Sequence, residues 1–376
     1  MKDVFISADT IISPLGFTSE TNVSEITQDH SGITLHNNIA TSPCYASIID
    51  NRKLDKAFSK FGNAKAYTKL EKMMILSLQN TIFKATFSIS DKTVLIIATT
   101  KGNIDALNND FDAERAYLPV LAGKIKEFFS FKTEPIIVSN ACVSGVLAIA
   151  VAKRFIQNEY YDNAFVVGGD IVSEFTISGF QSFQAISEIP CKPFSKDRSG
   201  ISIGEAAASV AISNINTEKE AIQIIGDGSC NDANHISGPS RTGEGLYLSI
   251  LSALKEAKLE PQNIDYVSAH GTATAFNDEM EAIAFNRAKL EHVPLNSLKG
   301  YYGHTLGASG LLETIIGMHS IKNNRLYSSL GFDELGVSMP LNIIKNITKT
   351  KVNTFLKTSS GFGGCNTAVL FKKVNL

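Results

Sequence analysis

Residues 134–156, EPIIVSNACVSGVLAIAVAKRFI, pass from a short β-branched stretch through a polar turn into a helical pattern of small and apolar residues. Ile136, Ile137 and Val138 have the composition of a buried strand, Ser139 and Asn140 can cap the adjoining helix, and no proline or charge interrupts the chain from Cys142 until Lys153. The order is strand, turn, helix, with Cys142 at the helix N-terminus. Unpaired backbone N–H groups and the positive end of the helix dipole favour the thiolate there, and the thiolate is the nucleophilic form. A lone cysteine in an apolar stretch is most often an inert small hydrophobe, so the rest of the chain has to decide between packing and chemistry.

Around this unit, β-branched runs alternate with helical patterns, the mark of a layered α/β fold. Strands are expected at 3–7, Val94–Ala98, Ala164–Val167 and Ala206–Ser213, with helices near 18–27, 64–86 and 115–129. After the charged connection Asn214–Glu220 the pattern begins again. Ala221–Ile225 resembles 3–7, and Ile264–Ala269 before His270-Gly271-Thr272 echoes Val94–Ala98 before Thr99, Thr100 and Gly102. CVSG at 142–145 and HTLG at 304–307 each open a glycine- and alanine-rich helix, and superposing their glycines places Cys142 over His304. Phe355–Thr358 matches the strand before Gly168-Gly169. Two similar halves, 1–213 with the nucleophile and 214–376 with the histidines, are predicted to present helix N-termini to one cleft.

Composition narrows the function classes. The 376 residues exceed one ordinary core, and 44% hydrophobic with 19% charged residues describes a globular chain with a large interior. A net charge of −2 argues against non-specific nucleic-acid binding. The five cysteines, at 44, 142, 191, 230 and 365, form no C-x-x-C pair or metal-ligand spacing, so neither disulfides nor a metal is expected. No stretch approaches the length of a membrane span, and the N-terminus interrupts its apolar run with Asp3 and Asp9. A cytoplasmic protein is expected.

Three second-half segments hold candidate chemistry. His270 follows a strand end, where α/β sheets place their ligands, although a lone histidine is more often a structural hydrogen-bond partner. Lys299 and His304 precede the helix that matches the Cys142 helix, and Glu281, on the helix that Asp278 and Glu279 begin, can pair with Lys299. Gly361-Phe362-Gly363-Gly364 is a turn whose bare N–H groups can meet an oxyanion. Lys65, Lys69 and Lys72 fall one turn apart, which by itself describes a solvated face.

The ordered set NACVSG (140–145), AHGTAT (269–274), LKGYYGHTLGASG (298–310) and SSGFGGCN (359–366) resembles the β-ketoacyl-acyl-carrier-protein synthases of the elongating, Cys-His-His class. SPLG at 13–16, SGI at 31–33 and KPFSKDRSGISIGEAAA at 192–208 extend the likeness over most of the chain. The resemblance implies the thiolase fold, five layers α-β-α-β-α built from two duplicated halves, normally as a dimer. It implies Cys142 as the acylated nucleophile, His270 and His304 as the two histidines, and Lys299 with Glu281 as the charged pair behind them. The backbone N–H groups of Cys142 and Phe362 would form the oxyanion hole. An acyl-carrier protein would dock near Lys65 and Lys69, and no cofactor is called for. The implied reaction transfers an acyl group to Cys142 and condenses it with a decarboxylating malonyl-carrier protein.

This chain departs from the family at Ala273 and Ala275, where serine and proline are usual, and at Ser360, where an aromatic is common. It is also short between Gly102 and Glu134, a region that in typical members lines the acyl pocket and forms the dimer. Such a member suits a specialised pathway, such as polyene or polyketide-type synthesis, as a homodimer or as the active half of a heterodimer. A thiolase would place a cysteine ahead of its glycine turn, whereas Cys365 comes after it. A chain-length-factor-like subunit would lack the nucleophile, which is present.

Overall fold

The computed structural model describes residues 2–375 apart from 38, 40–42, 109, 110, 217–219, 233, 236 and 237, so the middle of the 214–220 connection lies outside the described residues. Leaving short elements aside, the first half runs β1 (Phe5–Ile12), α1 (Lys69–Lys84), β2 (Thr93–Ala98), α2 (Leu118–Phe129), β3 (Ile136–Val138), α3 (Ser144–Gln157), β4 (Asn163–Asp170) and β5 (Ala206–Ser213). The same order returns as β6 (Glu220–Asn231), α4 (Glu244–Ala257), β7 (Tyr266–Ser268), α5 (Ala275–Arg287), β8 (Leu295–Asn296), α6 (Ser309–Asn323), β9 (Thr354–Gly361) and β10 (Cys365–Asn375).

The ten strands are ordered β8-β7-β9-β10-β6-β1-β5-β4-β2-β3, which reads the same from either end once each strand is replaced by its repeat. β2 runs parallel to β3 and β4, as β7 does to β8 and β9, and the remaining pairs are antiparallel. The halves join edge to edge through the pairs Phe5↔Gln223 and Ile6↔Ile222. α3 and α6 pack on each other between the two sets of strands, α1 lies outside β1, β4 and β5, and α4 lies outside β6 and β10. The result is the five-layer α-β-α-β-α arrangement.

A helix in the middle layer has no solvent face, and its sequence must be apolar or internally satisfied all round. α6 meets that condition, with every residue from Ser309 to Ile321 buried. The two central helices touch through glycines. A Cβ on Gly145 would sit 2.7 Å from the Gly307 carbonyl oxygen and 2.8 Å from the Leu311 nitrogen, and one on Gly310 would sit 2.8 Å from the Val146 nitrogen. This contact fixes how near the starts of the two helices, with Cys142 and His304 just ahead of them, can come.

Some boundaries differ from expectation for local reasons. The helix expected over 64–86 divides into a tight turn, Ala64–Ala66, and α1, because Thr68 and Glu71 form a capping box that sets the start at Lys69. The helix expected from 115 begins at Leu118, with Pro119 in its first turn. β6 continues past Ile225 because it pairs with β10 along its whole length. The short 102–134 segment forms two 3-10 turns, Ile104–Asn108 and Ala113–Ala116, ahead of α2. It is anchored by Arg115 and Asn103 on the buried carboxylate of Glu71. No helix among the described residues is long and apolar enough to cross a membrane.

Candidate active site

Cys142 lies in the turn from β3 to α3, and His270 two residues beyond β7. His304 precedes α6, its backbone held on both sides, with its N–H donating to the Ser202 carbonyl at 2.7 Å and its carbonyl accepting the Gly204 N–H at 3.0 Å. Phe362 lies in the β9–β10 turn, where Gly363 and Gly364 take φ of 85° and 74°, a region that favours glycine. Ala141, at φ 44°, bends the chain so that Cys142 reaches the cleft. The donor atoms of Cys142, His270 and His304 lie within 4.8 Å of one another, and all three residues are buried. The imidazoles meet edge to face, with centroids 5.1 Å apart.

The tautomers follow from the partners. The His304 Nδ1 accepts the Leu306 N–H at 3.1 Å, and the His270 Nδ1 faces the Lys299 ammonium at 3.3 Å. Each neutral ring therefore carries its proton on Nε2. Burial first, and the Lys299 charge after it, hold both histidines well below the ordinary histidine value, so both are neutral at pH 7. Two Nε2–H donors thus belong to one buried cleft. The spacing would suit a three-ligand metal site, but a ligating Nε2 needs its lone pair, and moving the proton to Nδ1 would set it against the Leu306 N–H and the Lys299 ammonium.

The expectation that the helix N-terminus holds Cys142 as thiolate is overturned. Burial, with Cys365 next and Asp170 adding to it, pushes the thiol up to about 12 against the pull of Lys101 and Lys299. Desolvation is the largest of these causes. Among the described residues, neither the Cys142 nor the Phe362 N–H donates to a backbone carbonyl.

The expected Lys299–Glu281 pair is also overturned. Lys299 Nζ donates to Glu313 Oε1 at 2.8 Å and to the His270 carbonyl at 2.6 Å. Glu281 instead accepts the backbone N–H groups of His270 at 2.8 Å and Gly271 at 2.6 Å, and the Asn277 amide at 2.9 Å. Burial and neighbouring Asp278 push Glu281 up to about 7. Asp278 accepts the Thr272 N–H at 2.9 Å and the Ala273 N–H at 3.2 Å, so two buried carboxylates hold the loop after β7 by its backbone. Sequence reasoning missed Glu313, Lys357 and Asp170. Lys357 Nζ lies 2.7 Å from Glu313 Oε2. Asp170 ties Thr99 and Thr100 to the Gly307 N–H, joining the loop after β2 to the segment that leads from His304 into α6. A signal for two of them was available: Glu313 is the sole carboxylate or ammonium between His304 and Lys322, as Lys357 is between Lys351 and Lys372.

The α1 lysines do not form the expected exposed row. Lys69 turns inward to the buried carboxylate of Glu205, and Lys72 pairs with Asp55 at 2.5 Å, which leaves Lys65 outside the helix and exposed. A cavity of about 440 Å³ opens to Cys142, His270 and His304 past Phe183, Phe276 and Arg198. Phe362 also lines it, its ring 5.4 Å from both Phe180 and Phe183.

Comparison with known proteins gives one consistent family. The β-ketoacyl synthase N-terminal domain matches residues 1–216 and the β-ketoacyl synthase C-terminal domain residues 222–333. A Schizosaccharomyces pombe protein, named provisionally as a mitochondrial 3-oxoacyl-[acyl-carrier-protein] synthase, is 26% identical over 99% of both chains. A Coxiella burnetii 3-oxoacyl-[acyl-carrier-protein] synthase 2 is 29% identical over 69% of this chain and 66% of its own. Among solved structures, a complex of a ketosynthase with its chain length factor from Xenorhabdus doucetiae contains a chain 23% identical over 99% of this one and 98% of its own, with a TM-score of 0.87.

Proposed function

From the premise that this chain belongs to the β-ketoacyl synthase family, we propose that Cys142, His270 and His304 carry out its condensation, with the 1–213 half supplying the nucleophile and the 214–376 half the histidines. The observation that carries this reading is the meeting of one thiol and two neutral imidazoles, with a ring nitrogen of each and the sulfur within 4.8 Å of one another, in a buried cleft.

The enzyme is an acyltransferase that forms 3-oxoacyl thioesters. The Cys142 sulfur attacks the thioester carbonyl of an acyl-carrier protein, and the departing carrier thiolate takes up the proton that Cys142 loses. With its thiol pushed up to about 12, Cys142 gives up that proton in the course of attack rather than beforehand. A malonyl thioester then enters, and loss of CO₂ leaves the electron pair on its carbonyl as an enolate that the His270 and His304 Nε2–H groups stabilise. The carbanion attacks acyl-Cys142, the oxyanion is met by the N–H groups of Cys142 and Phe362, and collapse expels the Cys142 thiolate, which takes a proton from solvent water. Lys299 acts behind His270, and Glu281 holds its backbone.

The partners are an acyl-loaded and a malonyl-loaded carrier protein, reached through the cavity past Phe183 and Phe276. A second copy or a related subunit covers β3, the end strand of the sheet, whose Ile136 and Ile137 are half-exposed. Five free cysteines suit a reducing compartment, and we place the protein in the cytoplasm.

The test separates the half-reactions. Cys142→Ala should take up no acyl group by intact mass yet still release CO₂ from malonyl-carrier protein. His304→Ala should retain some acylation and lose decarboxylation by about 10²–10³-fold, the scale for a deleted oxyanion donor. If no acyl-carrier protein ever acylates wild-type Cys142, the reading fails and a pocket-shaping partner subunit becomes the better account.

A further inference from the structure

One buried carboxylate behind the histidines meets two buried ammonium groups. Glu313 is 2% exposed, Lys299 1% and Lys357 0%. Lys299 reaches one carboxylate oxygen at 2.8 Å and Lys357 the other at 2.7 Å. Lys299 is accounted for by its contact with His270, but neither that contact nor the charge of Glu313 requires a second cation on β9.

The contacts of Lys357 cross three elements. Its Nζ donates to the carbonyls of Ser268 and Ala269, each at 3.1 Å, immediately before His270. It donates to the Thr358 carbonyl at 2.7 Å, on the strand that leads into the Phe362 turn. Its carboxylate partner stands on α6, the helix that begins five residues after His304. Burial pulls this lysine toward its neutral form while Glu313 opposes that pull. These four neighbours are all oxygen acceptors. A neutral amine would point its lone pair at one of them, so the group is held as ammonium.

We propose that Lys357 is a positioning residue of the decarboxylation step, an ammonium that ties together the elements delivering His270 and His304. The proposal rests on the synthase reading. Lys357 touches neither cleft nor substrate and acts through the segments it joins. It also sets the local charge. The carboxylates facing this region are Glu313, Glu281 and Asp278, with Asp170 on the His304 side, and the cations are Lys299, Lys357, Lys101 beside His304, and Arg198, which lies 3.7 Å from Asp278. Removing Lys357 takes one positive charge from behind two histidines that must remain neutral donors, and its field is among the causes that keep them so.

The experiment compares wild type, Lys357→Met, and Lys357→Met combined with Glu313→Gln, using malonyl-carrier protein for CO₂ release and acyl-carrier protein for Cys142 acylation by mass. Lys357→Met should lower decarboxylation kcat by about 10–10²-fold, the scale of a sub-ångström misplacement. Acylation should stay within about three-fold and KM should be little changed, because Lys357 bonds to the histidine-bearing half and not to the β3–α3 turn that bears Cys142. The acid limb of decarboxylation should move to higher pH, since one cation fewer makes the histidines easier to protonate. In the double variant, which removes a negative charge as well, the limb should return toward wild type while kcat stays low, because the tie remains cut.

Equal loss of acylation and decarboxylation, or rates and pH limb within about two-fold of wild type, would overturn the proposal. So would failure of both variants to fold, which would make Lys357 purely structural. A wild type that neither acylates Cys142 nor releases CO₂ would instead count against the synthase reading itself.

Discussion

Gly145→Ala tests whether the contact between the two central helices sets the geometry of the site. The added methyl would lie 2.7 Å from the Gly307 carbonyl oxygen, and ordinary contact begins at 3.4 Å, so α3 and the segment leading into α6 must separate by about 0.7 Å. The obstructing atoms are backbone, on residues three and seven beyond His304, and cannot rotate away. Two opposing terms enter. Alanine in a helix gains about 0.5–1 kcal/mol over glycine, while overpacking a buried contact costs about 1–3 kcal/mol. The net loss should lower the thermal midpoint, by about 1 °C for each kcal/mol of destabilisation in a chain of this size. The larger effect falls on chemistry, because the separation opens the distance between Cys142 and His304, and a misplacement of about 1 Å can cost about 10²-fold in rate. Condensation, read by product mass, should therefore drop by roughly ten-fold or more, with stability only slightly reduced. Gly179→Ala is the control: it lies in the helix Glu174–Ser182, where an added Cβ meets nothing within 4 Å, and it should be neutral or mildly stabilising. Wild-type kcat in Gly145→Ala would show that the helix contact does not govern the spacing.

Two further outcomes come from the charges. Because the Cys142 thiol is pushed up to about 12, its alkylation by iodoacetamide, read at the Cys142 peptide, should climb about ten-fold per pH unit through pH 7–10 without levelling, whereas a plateau near pH 8 would restore the dipole-stabilised thiolate. Lys69 neutralises buried Glu205, so Lys69→Met should destabilise the fold by about 3–5 kcal/mol in chemical denaturation, while Lys65→Glu should leave stability alone and raise the KM for carrier substrates; a fully stable Lys69→Met protein would return Lys69 to the docking surface.

How much was legible from the sequence depends on how far each conclusion reaches along the chain. The repeat was readable because its signals are local: a strand, a turn, and a glycine-bearing helix, met twice in the same order. Those same signals singled out Cys142, His270, His304 and the Phe362 turn, and the fold brings the first three together. The charge state of Cys142 was not readable. Proximity to a helix N-terminus is a local fact, whereas the water removed from the thiol is a property of the whole packed cleft. The row of α1 lysines failed similarly, since spacing reports which side chains share a helix face but not whether that face meets solvent or Glu205.

The partner of Lys299 shows which rule would have served better. Glu281, eleven residues after His270, matches the family's charged pair with Lys299, but α5 belongs to an outer layer and spends that carboxylate on the backbone of His270 and Gly271. Lys299 is buried at the centre, where its mate must come from a helix that has no solvent face at all. α6 is such a helix, and it carries one carboxylate and no ammonium from Ser309 to Ile321. An ionised group within the wholly buried run Ser309–Ile321 cannot reach water in any direction, so it has to be met by opposite charge within the fold, and leaving it unmet would cost several kcal/mol. Once the repeat assigns α6 to the middle, Glu313 requires a buried cation. Lys299 and Lys357, each set in a stretch otherwise poor in charge, are the two that answer it.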